Sequence, residues 1–235
     1  MEKVTTGIEG LDALLGGGLP RGRAYLISGE PGTGKTTFCL QFLLEGVKQN
    51  ENTLYIGLDE RPEHLIEDAL SIGWDITPHL KAERLRIVDI TSYFATHPTQ
   101  EEPTDPMQIV DDIVRMVHQG QVTRLVIDPI APLTGHYSDR AAVAQYVRKL
   151  IFSLESEKAC TSLLTSYMPV GAAGFSPDGI VEFSASGIIV LRLVKHHAKY
   201  MRSIWLRKIR SAANDLTEYS FDMLPTRGIV LRQPL

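Results

Sequence analysis

The chain has 235 residues, of which 43% are hydrophobic and 22% are charged, and its formal net charge is -4 at pH 7. This length suits one well-buried α/β domain and is short for two, so we expect a single domain over residues 1–235. The negative net charge argues against a global basic field that would attract nucleic acid. No stretch approaches the roughly 20 apolar residues that span a bilayer, and the first residues lack an apolar signal region, which predicts a cytoplasmic protein without a membrane partner.

The two cysteines, Cys39 and Cys160, lie far apart in the sequence and in apolar surroundings. We expect two buried thiols in a reducing compartment, and a disulfide between them is the alternative.

The N-terminal segment is predicted to form a short helix. Residues 5–15 contain its apolar positions, and three glycines at 16–18 end it. Residues 19–22 then turn the chain into the first core strand, so we expect this segment to pack on the edge of the sheet.

A nucleotide-binding motif follows. An apolar strand at 23–28 leads into a glycine-rich turn, and apolar residues at helical spacing leave it. The turn fits the pattern G-x-x-x-x-G-K-[ST] at every position, so its N–H groups can hold a phosphate at the positive end of the helix. Lys35 is expected to reach the terminal phosphates, and the Thr36 hydroxyl to bind a magnesium ion. The predicted phosphate loop comprises Gly29, Glu30, Pro31, Gly32, Thr33, Gly34, Lys35, Thr36 and Thr37.

Two later strands end in acidic residues. Residues 53–58 precede Asp59 and Glu60, and the apolar run at 124–127 precedes Asp128. Acids at the carboxyl ends of strands beside a phosphate loop face the crevice where open α/β sheets bind ligands. Asp128 can therefore hold the magnesium ion through water. For Asp59 and Glu60 the alternative is a charge pair that favours the N-terminus of the next helix, and both interpretations can hold together.

The other segments complete an alternation of strands and helices. Helices are predicted over 62–73, about 106–119 and 139–157, and strands over 85–90 and 161–166. The buried face of the first of these helices is predicted to comprise Leu65, Ile66, Ala69 and Leu70. Residues 91–105 are rich in proline, threonine and acids and are expected to form an exposed loop. The alternation predicts an α/β fold with a mostly parallel sheet and helices on both faces.

The last part of the chain is rich in β-forming residues. Residues 187–194 and 200–207 are predicted to form a hairpin, followed by short strands near 219–223 and 228–231. Seven lysines or arginines and no acids occur from Arg192 to Arg210. This run is either a solvated hairpin or a surface that meets phosphate or an acidic neighbour.

With these motifs in place, the chain resembles the RecA-like ATPases, and within them the KaiC and RadA-paralogue group, over nearly its whole length. The resemblance is carried, in a fixed order, by the N-terminal signature at 6–20, the nucleotide loop at 29–37 and the stretch at 71–75. It implies a RecA-like P-loop core with a C-terminal antiparallel β extension. It also implies ATP and Mg²⁺ as cofactors, with Ser71 near the adenine.

The resemblance further implies catalytic roles. The family's paired acids correspond to Asp59 and Glu60, and we expect Glu60 to align the attacking water with Asp59 in support. The family's Lys-x-Arg motif, which reaches the nucleotide of a neighbouring subunit, matches Lys208 and Arg210. A spacing of two places both cations on one face of a strand, where they can address one γ-phosphate in trans. The implied assembly is a ring, most commonly a hexamer.

Three functions follow from the resemblance. The first is an ATP-hydrolysing ring that binds ATP and ADP and acts in signalling or regulation with a protein partner. The second is a DNA-binding recombination ATPase, against which we note that residues 168–186 contain no cation to neutralise a DNA backbone. The third is a slow scaffold that assembles on ATP. Glu182 and Phe183 stand where the family's phosphorylating repeat has Ser and Thr, so no autophosphorylation is expected there.

Overall fold

The computed structural model describes residues 2–59, 61–90, 106–134, 139–156, 160–168, 174–177, 179–196, 199–211 and 215–235. The strands are β1 (Lys3–Val4), β2 (Leu19–Pro20), β3 (Ala24–Gly29), β4 (Thr53–Gly57), β5 (Leu85–Asp89), β6 (Arg124–Asp128), β7 (Thr161–Tyr167), β8 (Gly187–His196), β9 (Lys199–Ile209), β10 (Glu218–Leu224) and β11 (Gly228–Pro234). The helices are α1 (Leu11–Leu14), α2 (Lys35–Lys48), α3 (Pro62–Ser71), α4 (Thr77–Lys81), α5 (Pro106–Gln119), α6 (Ala131–Thr134), α7 (Arg140–Ser156) and α8 (Val181–Ser184).

The main sheet has a parallel centre and an antiparallel extension. Within the described ranges it contains nine strands in the order β11-β10-β9-β8-β3-β7-β6-β4-β5, and β1 pairs separately with β2. β8, β3, β7, β6, β4 and β5 are parallel neighbours. β9, β10 and β11 are added antiparallel at the β8 edge. The structure thus confirms the α/β, RecA-like sheet and the antiparallel extension expected from the sequence.

Each face of the sheet carries its own hydrophobic core, because successive strand residues point to opposite faces. Val126 of β6 belongs to the core under α2 and α3, whereas its neighbours Leu125 and Ile127 belong to the core under α5 and α7. Cys39 and Cys160 lie in these two different cores, and both are free thiols as expected.

Two expectations are wrong in detail, one about the buried face of α3 and one about the length of the C-terminal hairpin. Leu70 was expected on the buried face of α3, but it is 61% exposed. The helix buries Leu65 and Ala69, which are four residues apart on one stripe, and Leu70 is rotated by a further 100° or so away from it. The β8–β9 hairpin is also longer than expected, since cross-strand pairing continues out to His196 and Lys199 and back to Ile209.

The N-terminal segment and the C-terminal strands are joined to α2 by the side chain of Gln41. Its Nε2 donates to the carbonyl oxygens of Gly7 at 2.7 Å and Arg227 at 3.0 Å, and its Oε1 accepts from the backbone N–H of Ile229 at 2.8 Å. The segment also reaches the edge of the sheet, where the N–H of Leu231 donates to the carbonyl of Glu9 at 2.9 Å. The segment therefore packs on the sheet edge, as the sequence predicted.

A buried arginine closes the opposite end of α2. Arg124, the first residue of β6, is fully buried and forms an ion pair with Glu51. Its guanidinium also donates to the carbonyls of Thr5 and Phe42, at 2.7 and 2.9 Å, and lies over the Phe42 ring. The positive charge of this guanidinium is thus compensated by a carboxylate and by carbonyl oxygens, which a buried cation requires.

Within the described residues, no helix is both long and apolar enough to cross a membrane.

Candidate nucleotide-binding site

The phosphate loop connects the end of β3 to the start of α2. Gly32 and Gly34 have φ of 78° and 97°, a conformation that L-residues rarely adopt. Gly29 has no room for a side chain, because a Cβ there would lie 2.4 Å from the carbonyl oxygen of Leu191. The backbone geometry thus requires glycine at the two positions where the motif has it, Gly29 and Gly34, and favours glycine at Gly32 between them. The first turn of α2 directs its backbone N–H groups into the crevice formed by this loop.

Lys35 lies folded over the loop. Its Nζ donates to the carbonyl oxygens of Gly29 at 2.8 Å and Glu30 at 3.0 Å. Burial lowers the pKa of Lys35, and the negative charge of Asp128 acts in the opposite direction. A phosphate oxygen offers this ammonium group a charge-assisted hydrogen bond that a neutral carbonyl cannot match.

Asp128 is held by hydroxyl groups from three other elements. The Thr36 hydroxyl donates to its Oδ2 at 3.0 Å, and the Tyr55 hydroxyl donates to the same oxygen at 2.6 Å. The Thr165 hydroxyl donates to Oδ1. Asp128 lies opposite Gly57 in the parallel register between β6 and β4, which brings the carboxylate to the crevice at the end of the sheet.

These groups fit a magnesium ion. Mg²⁺ prefers oxygen ligands and is usually bound through one or two protein side chains together with substrate phosphates and water. The Thr36 oxygen retains its lone pairs when its proton is donated to Asp128, so both side chains can serve one ion. The structure thus brings together the two residues that the sequence predicted as magnesium ligands.

Asp59 lies just after β4 and faces the same negative charge. Desolvation raises the pKa of Asp59, and the nearby charge of Asp128 raises it further. The adjacent Glu60, the expected base, is outside the described residues, as is the expected loop at 91–105. The structure therefore places one of the two predicted acids near the crevice and does not test the other.

Lys208 and Arg210 are not at this chain's own phosphate loop. Lys208 pairs with Ile188, whose partner in β3 is Leu26, three residues before the loop begins. Its Nζ donates to the carbonyls of Glu182 at 3.1 Å and Ala185 at 2.7 Å. Desolvation lowers the pKa of Lys208, and the charge of Arg210 lowers it further.

The strand that carries Lys208 ends at Ile209, so Arg210 lies in the following turn and is exposed. The N–H of Arg210 still donates to the carbonyl of Ser186 at 2.9 Å, and the expectation that both cations share one strand face stays a prediction.

Ser71, expected near an adenine, is the last residue of α3 and is exposed. Its hydroxyl donates to the carbonyl of Asp68 at 2.7 Å. Nearby, Nε1 of Trp74 donates to the carbonyl of Thr226 at 2.8 Å, which connects this region to the β10–β11 turn. The position of Ser71 leaves its role as a prediction.

The sequence did not identify three residues that contact the site. Tyr55 and Thr165 bind Asp128, and Nε of Arg202 donates to the carbonyl of Gly32 in the loop at 3.1 Å. Thr165 lies inside the strand predicted over residues 161–166, but nothing in that pattern linked it to Asp128. Tyr55 and Arg202 carry no motif, because their contacts depend on the register of strands far apart in sequence.

The fold and this crevice define a P-loop protein of the RecA-like class. A family model described as "ATPase: KaiC" matches residues 4–235. The chain therefore belongs to the KaiC ATPase family, which confirms the resemblance seen in the sequence motifs.

Similar proteins agree with this assignment. A UPF0273 protein from Methanocaldococcus jannaschii is 32% identical over 238 residues, covering 98% of this chain and 96% of that protein. The circadian clock protein KaiC3 from Synechocystis is 31% identical over 231 residues, covering 98% of this chain but 46% of that protein. The crystal structure of a KaiC-like protein from Pyrococcus horikoshii has a TM-score of 0.84 at 31% identity and covers 99% of both chains.

Proposed function

We propose that this protein is a magnesium-dependent ATPase. The observation that supports this most directly is that Asp128, at the end of β6, meets Lys35 and Thr36 at the start of α2. The hydroxyl oxygen of Thr36 lies 3.0 Å from Oδ2 of Asp128. An ammonium group, a hydroxyl and a carboxylate at a helix N-terminus are the parts that bind a nucleoside triphosphate with its metal ion. The KaiC family and the fold support ATP as the nucleotide.

In this proposal the loop amides and Lys35 hold the phosphates. The ammonium group leaves the carbonyls of Gly29 and Glu30 for the anionic oxygens of ATP, which favour its charged form more strongly. Bound magnesium would neutralise the charge that develops on the phosphate oxygens. Thr36 would hold that ion directly, and Asp128 would hold it through water.

Glu60 aligns the attacking water and Asp59 supports it, by resemblance to the family's paired acids. Desolvation raises the pKa of Asp59, and the charge of Asp128 raises it further, so a proton on Asp59 is retained more readily than on a free carboxyl group. A carboxylate opposite the γ-phosphate positions water by accepting its hydrogen bond, as the corresponding groups of other nucleotide hydrolases do.

Lys208 and Arg210 complete the site of a neighbouring subunit. Two features support this role. The register directs Lys208 away from its own phosphate loop. A cavity of about 530 Å³ beside it is lined by apolar and basic side chains and by Glu182, and it includes Phe183, which is 80% exposed. A cavity with this lining suits contact with a second copy of the chain. The resulting assembly is a ring, by resemblance a hexamer in the cytoplasm, with active sites between subunits.

The basic run in the hairpin gives less support to DNA binding than its composition suggests. Arg192 and Arg207 lie over the ring of Trp205, Arg202 donates to the loop carbonyl of Gly32, and Lys208 donates to two carbonyls. Four of the seven cations thus have partners within the chain. The name of the circadian clock relative KaiC3 suggests a regulatory role. We favour such a role, exerted through a protein partner, over DNA binding.

One sample tests the proposal and its rivals. The molecular mass and the release of phosphate are measured with and without magnesium and ATP. We expect a larger assembly with ATP and phosphate release that requires magnesium. Assembly without phosphate release favours the scaffold, and salt-dependent retention on single-stranded DNA favours the recombination class. A protein with no affinity for ATP in the presence of magnesium contradicts the proposal.

A further inference from the structure

A tyrosine on β4 reaches the carboxylate at the end of β6. Tyr55 is 3% exposed, and its hydroxyl donates to Oδ2 of Asp128 over 2.6 Å. Gly57, rather than Tyr55, lies directly opposite Asp128 in the register. Tyr55 stands two residues earlier on the same face of the strand, which is about 6.6 Å back along it. A phenol side chain is long enough to cover this separation, whereas a serine or threonine hydroxyl is not.

Among the described residues, the hydrogen bonds to Asp128 leave one acceptor position of its carboxylate open. An ionised carboxylate offers about four lone-pair positions, two on each oxygen. Oδ2 accepts from both Thr36 and Tyr55, so its two positions are filled. Oδ1 accepts from Thr165, which leaves its second position for another donor.

We infer that Tyr55 is a positioning residue for the metal site: by filling Oδ2 it fixes Asp128 so that Oδ1 receives the water of the bound magnesium ion. This inference rests on the proposed function. The Thr36 hydroxyl donates its hydrogen bond to Oδ2, which would leave its lone pairs for the ion, so the carboxylate must keep one orientation for both contacts to hold. Without the Tyr55 hydroxyl, a position on Oδ2 becomes free and the carboxylate can turn to use it.

The test compares two tyrosine-to-phenylalanine variants by nucleotide binding, without reference to turnover. Tyr25→Phe is a matched control, because Tyr25 is fully buried in the same core and its hydroxyl donates to the carbonyl of Pro20 at 2.8 Å, away from Asp128. The probe is ADP with a fluorescent N-methylanthraniloyl group, and its affinity is measured as Mg²⁺ is raised from zero.

We expect Tyr55→Phe to raise the Mg²⁺ concentration at the midpoint by about tenfold or more, in the range seen when a residue that supports a metal ligand is removed. Its affinity for the probe without metal should stay within about twofold of the wild type, and Tyr25→Phe should leave both quantities unchanged. Equal midpoints in all three proteins overturn the inference. A wild-type protein that does not bind the probe contradicts the proposed function instead.

A double-mutant cycle with Asp128→Asn separates positioning from a general structural effect. If Tyr55 acts through the carboxylate, Tyr55→Phe has no further effect on the Mg²⁺ midpoint in the Asp128→Asn protein. The same multiplicative effect in both backgrounds contradicts the inference. Should Tyr55→Phe fail to fold alone, recovery of folding in the double variant supports it, and failure of both overturns it.

Discussion

The hydroxyl of Thr36 donates to Oδ2 of Asp128 over 3.0 Å, although the two residues are 92 positions apart in the sequence. This contact joins the start of α2 to the end of β6 at the point where the metal ion is proposed to bind. Thr36→Ala removes the hydroxyl and should raise the Mg²⁺ required for phosphate release by about tenfold or more. Thr36→Ser keeps the hydroxyl and serves as the control. Equal magnesium dependence in the two variants would count against a metal-binding role for Thr36.

The lowered pKa of Lys35 predicts a pH dependence of nucleotide binding. Burial lowers this pKa below 10.5, whereas bound phosphate favours the ammonium form and raises it. At a pH between the pKa of Lys35 in the free protein and its higher pKa in the ADP complex, the free protein has lost a proton that the complex retains. The affinity for ADP should therefore fall as pH rises through this window, and binding should take up a proton.

Calorimetry of magnesium-free ADP binding in buffers of different ionisation heat measures that proton uptake up to pH 10.5. The control is Lys48→Ala, because Lys48 lies on the same helix but is 75% exposed. It should leave the pH dependence unchanged. An affinity that is flat over this range, with no proton exchanged, would contradict the prediction.

Glu60→Gln should separate binding from turnover. The amide preserves the size of the side chain but is a poorer acceptor for the attacking water, so ATP should bind within about twofold of the wild type while phosphate release falls by a factor on the order of 100. Glu63→Gln, on the exposed first turn of α3, is the comparison. Normal turnover by Glu60→Gln would transfer the role to another residue, with Asp59 the first to test.

Two inactive variants should restore activity when mixed, if the sites lie between subunits. Lys35→Ala lacks the ammonium group that binds phosphate, and Arg210→Ala lacks the proposed cation in trans. In a mixed ring, the intact loop of one variant meets the intact Arg210 of the other. Phosphate release should therefore exceed the sum of the separate samples, and mass measurement should show that Arg210→Ala still assembles. If the mixtures are as inactive as their components, Arg210 either acts at the site of its own subunit or takes no part in the reaction.

The ion pair of Arg124 and Glu51 predicts a large effect on stability. Arg124 is fully buried and the Glu51 side chain is 13% exposed, so Glu51→Gln leaves a buried guanidinium with less compensation. The free energy of unfolding should fall by about 3 kcal/mol, as when one partner of a buried pair is removed. Urea denaturation measures this change. Glu2→Gln, whose side chain is 72% exposed beside Arg21, should change it by less than about 1 kcal/mol.

The sequence predicted the parts of this site that lie within one local motif. The phosphate loop needs only neighbouring residues, so its glycines, Lys35 and Thr36 could be recognised directly. Asp128 could be found because it ends an apolar strand. Tyr55 could not, because its contact depends on which strand lies beside β6 and in which register.

The same distinction explains the errors at the edges of elements. Periodicity placed α3 correctly but not the width of its buried stripe, so Leu70 was assigned to the core although it is exposed. The second strand of the hairpin was expected to end at residue 207, but β9 continues to Ile209, beside Arg210. The arrangement of one subunit against another has no signal in a single chain beyond family resemblance.

The hydrogen bonds of Gln41 connect the C-terminal strands to α2, the helix that begins at the phosphate loop. A chain shortened before residue 228 would lose the acceptor and donor that Ile229 and its neighbours provide, and would leave a buried amide half satisfied. Truncation for crystallisation or for fusion to another protein should therefore spare this end. A reporter attached there needs a linker that begins after β11.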